Sequence, residues 1–293
     1  MRKNESGQAL VLVLLSLSVV LTLILYVLSR SVTDVAVSSR QEESVRAFSA
    51  AEAGVERALV IGTSNGNTIG DASYTANVSS FAEGSKSFSF PDSLSEGDTV
   101  TVWFMSHDAG GNLICDGTHS CFTGNSLQVC WGNSGTSAGN ATAPAIEVSI
   151  YYETVPGDAT TLKIARAAFD PNSGRTPSNS FSSADLTTCQ ISGNSYAFQK
   201  TVSFALLGIP AASFGSPGGL LFARVRMFYN SDIAQAAGTT VDFPGNSSLP
   251  SQGSSITSTG VAGGSNRRIS VFQGWPEFPF ASSSILSPAG ITK

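Results

Sequence analysis

Between Gln8 and Leu28 the chain carries no charged residue, and Leu, Val and Ile fill most of the run QALVLVLLSLSVVLTLILYVL. As a helix rising about 1.5 Å per residue, this segment spans the roughly 30 Å hydrocarbon core of a bilayer. Arg2 and Lys3 precede it, partly offset by Glu5, whereas Arg30 and Asp34 follow it with opposite signs. That basic bias places the N-terminus in the cytoplasm and everything past residue 30 across the membrane. A secretory signal peptide fits less well. Its apolar core runs about 7 to 15 residues, and no small-x-small cleavage pattern closes this one.

The stretch after the apolar run, SRSVTDVAVSSRQEESVRAFSAAEAGVERAL, has no proline and no glycine before Gly54. Its second half is rich in helix formers, and Val45, Phe48, Val55 and Leu59 recur at three- or four-residue steps or their sum, a stripe interrupted by Glu52. One helix from Gln8 to Leu59 is therefore expected, softened between Ser29 and Ser39 by β-branched residues. A rod of this kind is about 75 Å long, more than any bilayer needs. Its excess must lie against a domain or against neighbouring helices.

Residues 1 to 60 resemble the signal and helix of type IV pilins and pseudopilins. In that family a short basic leader ends in glycine, prepilin peptidase cuts after it, and the apolar helix starts at once. MRKNESG matches such a leader, which makes Gly7 the cleavage residue and Gln8 the first mature one. GQALVLVLLSL, with the later SVRAFSAAEAGVERAL, is similar to minor pilins of the PilX type, which carry an aromatic residue ahead of AAEAG. Most major pilins place a glutamate at the fifth mature position, held to pair with a neighbour's N-terminal amine; here that position is Leu12. The K-type pseudopilin and many PilX-like proteins lack it too, and they are proposed to sit at a filament tip or to prime assembly. The resemblance thus implies a minor or initiating subunit assembling through its helix, by way of Leu12, Val45, Phe48, Val55 and Leu59. It implies other pilin-like subunits, prepilin peptidase and a pilus or secretion assembly platform as partners.

Past residue 60 the pattern changes to short apolar runs with period-two alternation, parted by Gly, Asn, Ser and Pro. Strands are expected at Thr99 to Met105, Ser126 to Trp131, Ala145 to Tyr152, Thr161 to Phe169, Ala197 to Leu206, Gly219 to Tyr229 and Arg267 to Phe272. Gly132 to Ala143, Pro171 to Ser183 and Ser231 to Gly264 read as surface loops, the last either mobile or carrying further edge strands. The expected fold class is α+β: a long transmembrane helix followed by a predominantly antiparallel β-sandwich. The organisation is a leader at 1–7, a helix at 8–60 with its membrane part at 8–29, and one β-rich extracytoplasmic domain at 61–293. Only 13% of residues are charged, and 16 Lys and Arg are scattered among 21 acidic residues. With no basic patch, a nucleic-acid partner is not expected.

All four cysteines, Cys115, Cys121, Cys130 and Cys189, lie beyond the apolar run. An even number suits an oxidising compartment. Three pairings are open, and Cys115 with Cys121 and Cys130 with Cys189 is favoured over the others. A zinc site built from these residues and His119 lacks a C-x-x-C pair, and Asp108, Asn112 and Asp116 lack the EF-hand spacing, so no metal residue is named. The two histidines, His107 and His119, leave little room for His-based catalysis, and no G-x-S-x-G elbow accompanies them. No catalytic residue and no cofactor are expected. Asn77, Asn140 and Asn246 stand in incidental N-x-S/T sequons. Arg267 and Arg268 lead into a proline-interrupted tail whose Trp275, Phe278 and Phe280 pack on the sandwich or form an adhesive patch.

Three functions are compatible with these features. A non-enzymatic minor pilin-like subunit leads, held in the cytoplasmic membrane before assembly and displayed on a surface filament afterwards. A permanently anchored binding or adhesion protein is second, and an extracellular enzyme third.

Overall fold

The computed structural model describes residues 6–241 and 247–277, and the backbone alone for residues 6–9. Residues 1–5 of the leader, Asn246, Phe278 and Phe280 lie outside the described residues. The architecture is α+β. Helix α1 (Ser6–Ile61) is followed by β1 (Asn65–Ile69), β2 (Ala72–Ser80), β3 (Ser87–Ser89), β4 (Thr99–Trp103), β5 (Ser106–His107), β6 (Leu113–Ile114), β7 (Ser126–Asn133) and β8 (Ala145–Glu153). Then come β9 (Leu162–Asp170), β10 (Ser182–Ser183), β11 (Cys189–Ile191), β12 (Asn194–Ser203), β13 (Leu220–Phe228), β14 (Ala237–Val241), β15 (Gly253–Ala262) and β16 (Ser265–Gly274). The chain groups into two compact units, residues 1–78 with 256–271, and residues 79–255 with 272–293. Residues 61–78 and 256–271 of the β-rich stretch therefore belong with the helix.

In the helix unit α1 runs 56 residues without a break, about 84 Å at the standard rise. The strand order beside it is β1-β2-β15-β16, with β1 and β2 paired antiparallel from Asn65↔Ala76 to Ile69↔Ala72. Alternation places Ala72, Tyr74 and Ala76 of β2 inward while Thr75 and Asn77 are exposed. These residues form one apolar cluster with Ala47, Ala50, Val55 and Ala58 of the helix and Ile256 and Ala262 of β15.

The sandwich unit is built from two five-stranded sheets, ordered β10-β9-β8-β13-β4 and β11-β12-β7-β14-β3. Central pairs are antiparallel, such as Val225↔Val148 between β13 and β8 and Thr201↔Gln128 between β12 and β7. The two-residue β10 pairs parallel with β9. Inward residues of both sheets merge into a single core: Val102, Ile146, Val148, Ile150, Ala223, Val225 and Met227 from one, Leu127, Val129, Trp131, Phe198 and Val202 from the other. The indole of Trp131, fully buried, satisfies its N–H on the carbonyl of Pro144 at 2.8 Å. On the opposite face of the second sheet Cys130, Cys189, Ile191 and Tyr196 make a small satellite cluster.

Each of the seven expected strands overlaps an observed one, although β12 begins at Asn194 and ends at Ser203, so Leu206 falls beyond it and is exposed. The expectation for Ser231 to Gly264 needs correction. That stretch holds β14, which lies between β7 and β3, and most of β15, which lies between β2 and β16, so neither is an edge strand. β1, β2, β3 and β11 also lie outside the expected strands. Their residues, NGNTI and ASYTANVSS for example, are too small and polar to show an apolar period.

Candidate functional site

The feature with the clearest functional content is α1, because its two halves meet different surroundings. From Leu10 to Leu28 the large apolar side chains are exposed, Leu12 among them at 67%. The segment is long and apolar enough to cross a membrane. Hydroxyls within it bond back to carbonyls of the preceding turn: Ser16 donates to Val13 at 3.0 Å, Ser18 to Leu15 at 2.8 Å and Thr22 to Val19 at 2.8 Å. These polar groups are thus satisfied inside the helix, as an apolar medium requires. Gly7 and Gln8 are helical at the backbone.

The second half packs on the sheet of its own unit through its smallest residues. Ala47, Ala50, Ala51, Val55 and Ala58 are buried. A Cβ added at Gly260 of β15 would stand 1.9 Å from the Ala47 carbonyl oxygen, so the two backbones are in direct contact there. A Cβ at Gly54 would stand 2.2 Å from Ser258 Oγ and 2.6 Å from the Tyr74 ring. Beside this contact, Gly264 N donates to Glu43 Oε2 at 3.0 Å, Arg267 Nε donates to Ser44 Oγ at 2.9 Å, and Arg46 lies 3.6 Å from Asp71.

The stripe read from the sequence divides between two faces. Val55 is 7% exposed and joins the sheet contact, whereas Val45, Phe48 and Leu59 are 65%, 47% and 38% exposed and point away from it. The packed face is an Ala and Gly face, and the larger apolar residues flank it. Spacing alone singled out the large residues, because small ones carry little weight in an apolar pattern.

The sandwich unit contains the remaining candidates. Cys115 is bonded to Cys121, and Cys130 to Cys189, which is the favoured pairing. No thiolate is therefore free among the described residues. His107 and Asp108 are adjacent in sequence but engage different partners. The His107 ring stacks on Trp275 at 4.5 Å and meets Trp103 edge-on at 4.5 Å, its Nδ1 buried without a partner. Burial lowers its pKa to about 4, against the opposing pull of Asp108. Asp108 accepts from the amides of Gly110 and Asn112, closing the β5–β6 turn, and the Asn112 amide foremost holds its carboxyl below the usual range. His119 contacts Asp116 at 2.9 Å, where hydrogen bonds led by the Thr118 hydroxyl depress the carboxyl. Trp275 donates from its indole to Ser251 O at 3.0 Å and is half-buried. Asn77 and Asn140 are exposed.

A long apolar helix whose far half packs on a sheet, with antiparallel β-sheets and two disulfides beyond, is a pilin-like architecture. In comparisons with known proteins, no family model, no curated protein and no solved structure matches this chain.

Proposed function

We propose that this chain is a minor, tip or priming subunit of a type IV pilus or a type II secretion-like filament, non-enzymatic, assembling through α1. The observation that carries this reading is the contrast within one unbroken helix. Its apolar front half is exposed over its whole girth, while its rear half is joined to a folded unit at backbone distance. Before assembly the front half resides in the cytoplasmic membrane. On extraction it trades lipid for helices of similar apolarity, an exchange with little hydrophobic cost. Val45, Phe48 and Leu59 extend the exposed apolar surface past the membrane, where neighbouring helices would cover them. Leu12 supplies no carboxylate for a neighbour's amine, which fits an initiating or terminal position better than repeated stacking. The two disulfides favour an extracytoplasmic home for the sandwich.

Intact-mass analysis of the protein from native membranes tests this directly. A mature chain starting at Gln8, together with loss of fibre association on a Gly7→Asp substitution, is the expected result. A chain that retains its first seven residues and never co-purifies with fibres would instead describe a permanently anchored binding protein.

A further inference from the structure

The two sheets of the sandwich unit end in four edge strands, β10 and β4 in one and β11 and β3 in the other. Exposed edges invite pairing with other chains, and short length, charge or proline is the usual protection. β10, β11 and β3 are two or three residues long. β4 has five, Thr99 to Trp103, with no charged residue, proline or glycine among them. Phe104 N donates to Leu221 O and Asp98 O accepts from Met227 N, both on the β13 side. Alternation then turns the main-chain groups of Thr99, Thr101 and Trp103 outward. At Trp103 one side chain satisfies both: Trp103 N donates to Gln252 Oε1 at 2.8 Å, and Gln252 Nε2 donates to Trp103 O at 2.9 Å. A primary amide thus imitates the peptide group of an added strand at one position. The outward main-chain groups of Thr99 and Thr101 have no partner among the described residues.

Beside this edge, between β4 and β3, lies a cavity of about 150 Å³ lined by the rings of Phe81, Phe88, Phe90, Trp103, Phe272 and Trp275. Phe90, Phe88, Phe81 and Phe272 follow one another in edge-on contacts of 5.1, 5.6 and 4.9 Å, a continuous aromatic wall. Phe81, Phe90, Phe272 and Trp275 are only half-buried, so apolar surface is left in water. An apolar cavity of this volume has room for a benzene ring. The described residues that line it include two carboxylates and no Lys, Arg or His. Glu277 lies 3.6 Å from Arg224, whereas Asp92 has no ion-pair partner among the described residues.

We propose that β4 accepts a strand from another polypeptide, an extended segment that carries an aromatic side chain and no acidic residue. Its main chain pairs with the outward groups of Thr99 and Thr101 and adds a sixth strand to the five-stranded sheet. Its inward side chain falls between β4 and β3, into the aromatic cavity. Pairing supplies the affinity, and the cavity selects the side chain. Carboxylates without a facing cation disfavour an acidic segment and favour Lys or Arg flanking the aromatic residue. The proposal stands independently of any role of α1 in a filament.

The test uses the full chain in lipid nanodiscs and the peptide KTFTFTK, with ETFTFTE and a fully N-methylated KTFTFTK for comparison. Trp103 and Trp275 line the cavity, so indole emission reports its filling. The expected result is a saturable emission change with KTFTFTK, and amide hydrogen exchange at Thr99 and Thr101 slowed about tenfold or more at saturation. ETFTFTE and the N-methylated peptide should each bind about tenfold or more weakly. Thr99→Pro removes one outward N–H at the first residue of an edge strand, where proline is tolerated, and should weaken KTFTFTK to a similar extent. The N-methylated peptide leaves the protein unaltered, so its comparison holds whatever Thr99→Pro does to the fold. No binding of KTFTFTK would overturn the proposal. So would equal binding of the N-methylated peptide, which would leave an apolar cavity without strand pairing. Slow exchange at Thr99 and Thr101 in the chain alone would overturn it as well, the edge then being covered by the chain itself or by a second copy.

Discussion

In the helix unit, the surfaces that meet are made of Ala47, Ala51, Gly54 and Ala58 on one side and Ser258 and Gly260 on the other. In the sandwich unit, the core is filled by Phe104, Phe122, Leu127, Trp131, Ile146, Ile150 and Met227, and two disulfides tie loops and strands together. The first contact depends on atoms that are missing, because backbone touches backbone. The second depends on bulk that interdigitates and on covalent links. Added atoms should therefore break the helix unit and removed ones the sandwich unit. All three tryptophans, Trp103, Trp131 and Trp275, lie in the sandwich unit, so indole emission reports that unit while the far-ultraviolet helical signal reports α1.

The largest effect expected is on the sandwich side. Cys130 and Cys189 are separated by 59 residues, and closing a loop of that size stabilises by about 4 kcal/mol. Replacing both by Ser should lower the indole-monitored transition by that amount and leave the helical transition in place. If both transitions fall together, the two units do not unfold separately and the contrast drawn above fails.

Gly260→Ala comes next, on the helix side, at about 3 kcal/mol, because the new methyl meets the backbone of Ala47 and no side chain can turn aside. Gly54→Ala sharpens the point. There the obstacles are two side chains, the Ser258 hydroxyl and the Tyr74 ring, in place of backbone, and the helix gains about 1 kcal/mol from losing a glycine, so its net cost should be smaller. Equal costs measured by the helical signal would show that backbone contact is not what sets the spacing.

Acidification should act on the sandwich through His107. His107 has a folded-state pKa near 4, below its ordinary 6.5, so the folded protein prefers it neutral. Its contribution is complete above about pH 6.5 and is lost as pH falls toward 4. After allowance for solvent screening, the loss should reach about 1 to 2 kcal/mol. His107→Phe should remove this part of the pH dependence from the indole-monitored midpoint while other groups keep theirs. The smallest effect belongs to Phe48→Ala, exposed and off the sheet contact, at no more than about 0.5 kcal/mol in either transition. In the proposed filament the same change should reduce fibre incorporation, measured as the fraction of subunit pelleting with fibres.

Much of the fold was legible. The chargeless run from Gln8 to Leu28 and the proline-free continuation announce one long helix, and period-two alternation locates β8 and β13 to within a residue or two. β1, β2 and β15 were not legible, because NGNTI, ASYTANVSS and GSSITSTGVA look like loop sequence. In β15 the residues are small for a reason that lies outside the strand, since the helix backbone approaches it at Gly260, whereas β1 is polar because it is exposed. For the candidate site, the sequence pointed to Val45, Phe48, Val55 and Leu59, yet only Val55 is buried on the sheet.

By itself the sequence determined the elements whose cause is local: a helix too long for a bilayer, strands with their own apolar alternation, and cysteines in even number past the apolar run. Only the tertiary structure decided which face of the helix is buried and that β15 lies beside β2 from far along the chain. Local propensity and periodicity are properties of neighbours in the chain, whereas burial and pairing depend on what arrives from elsewhere.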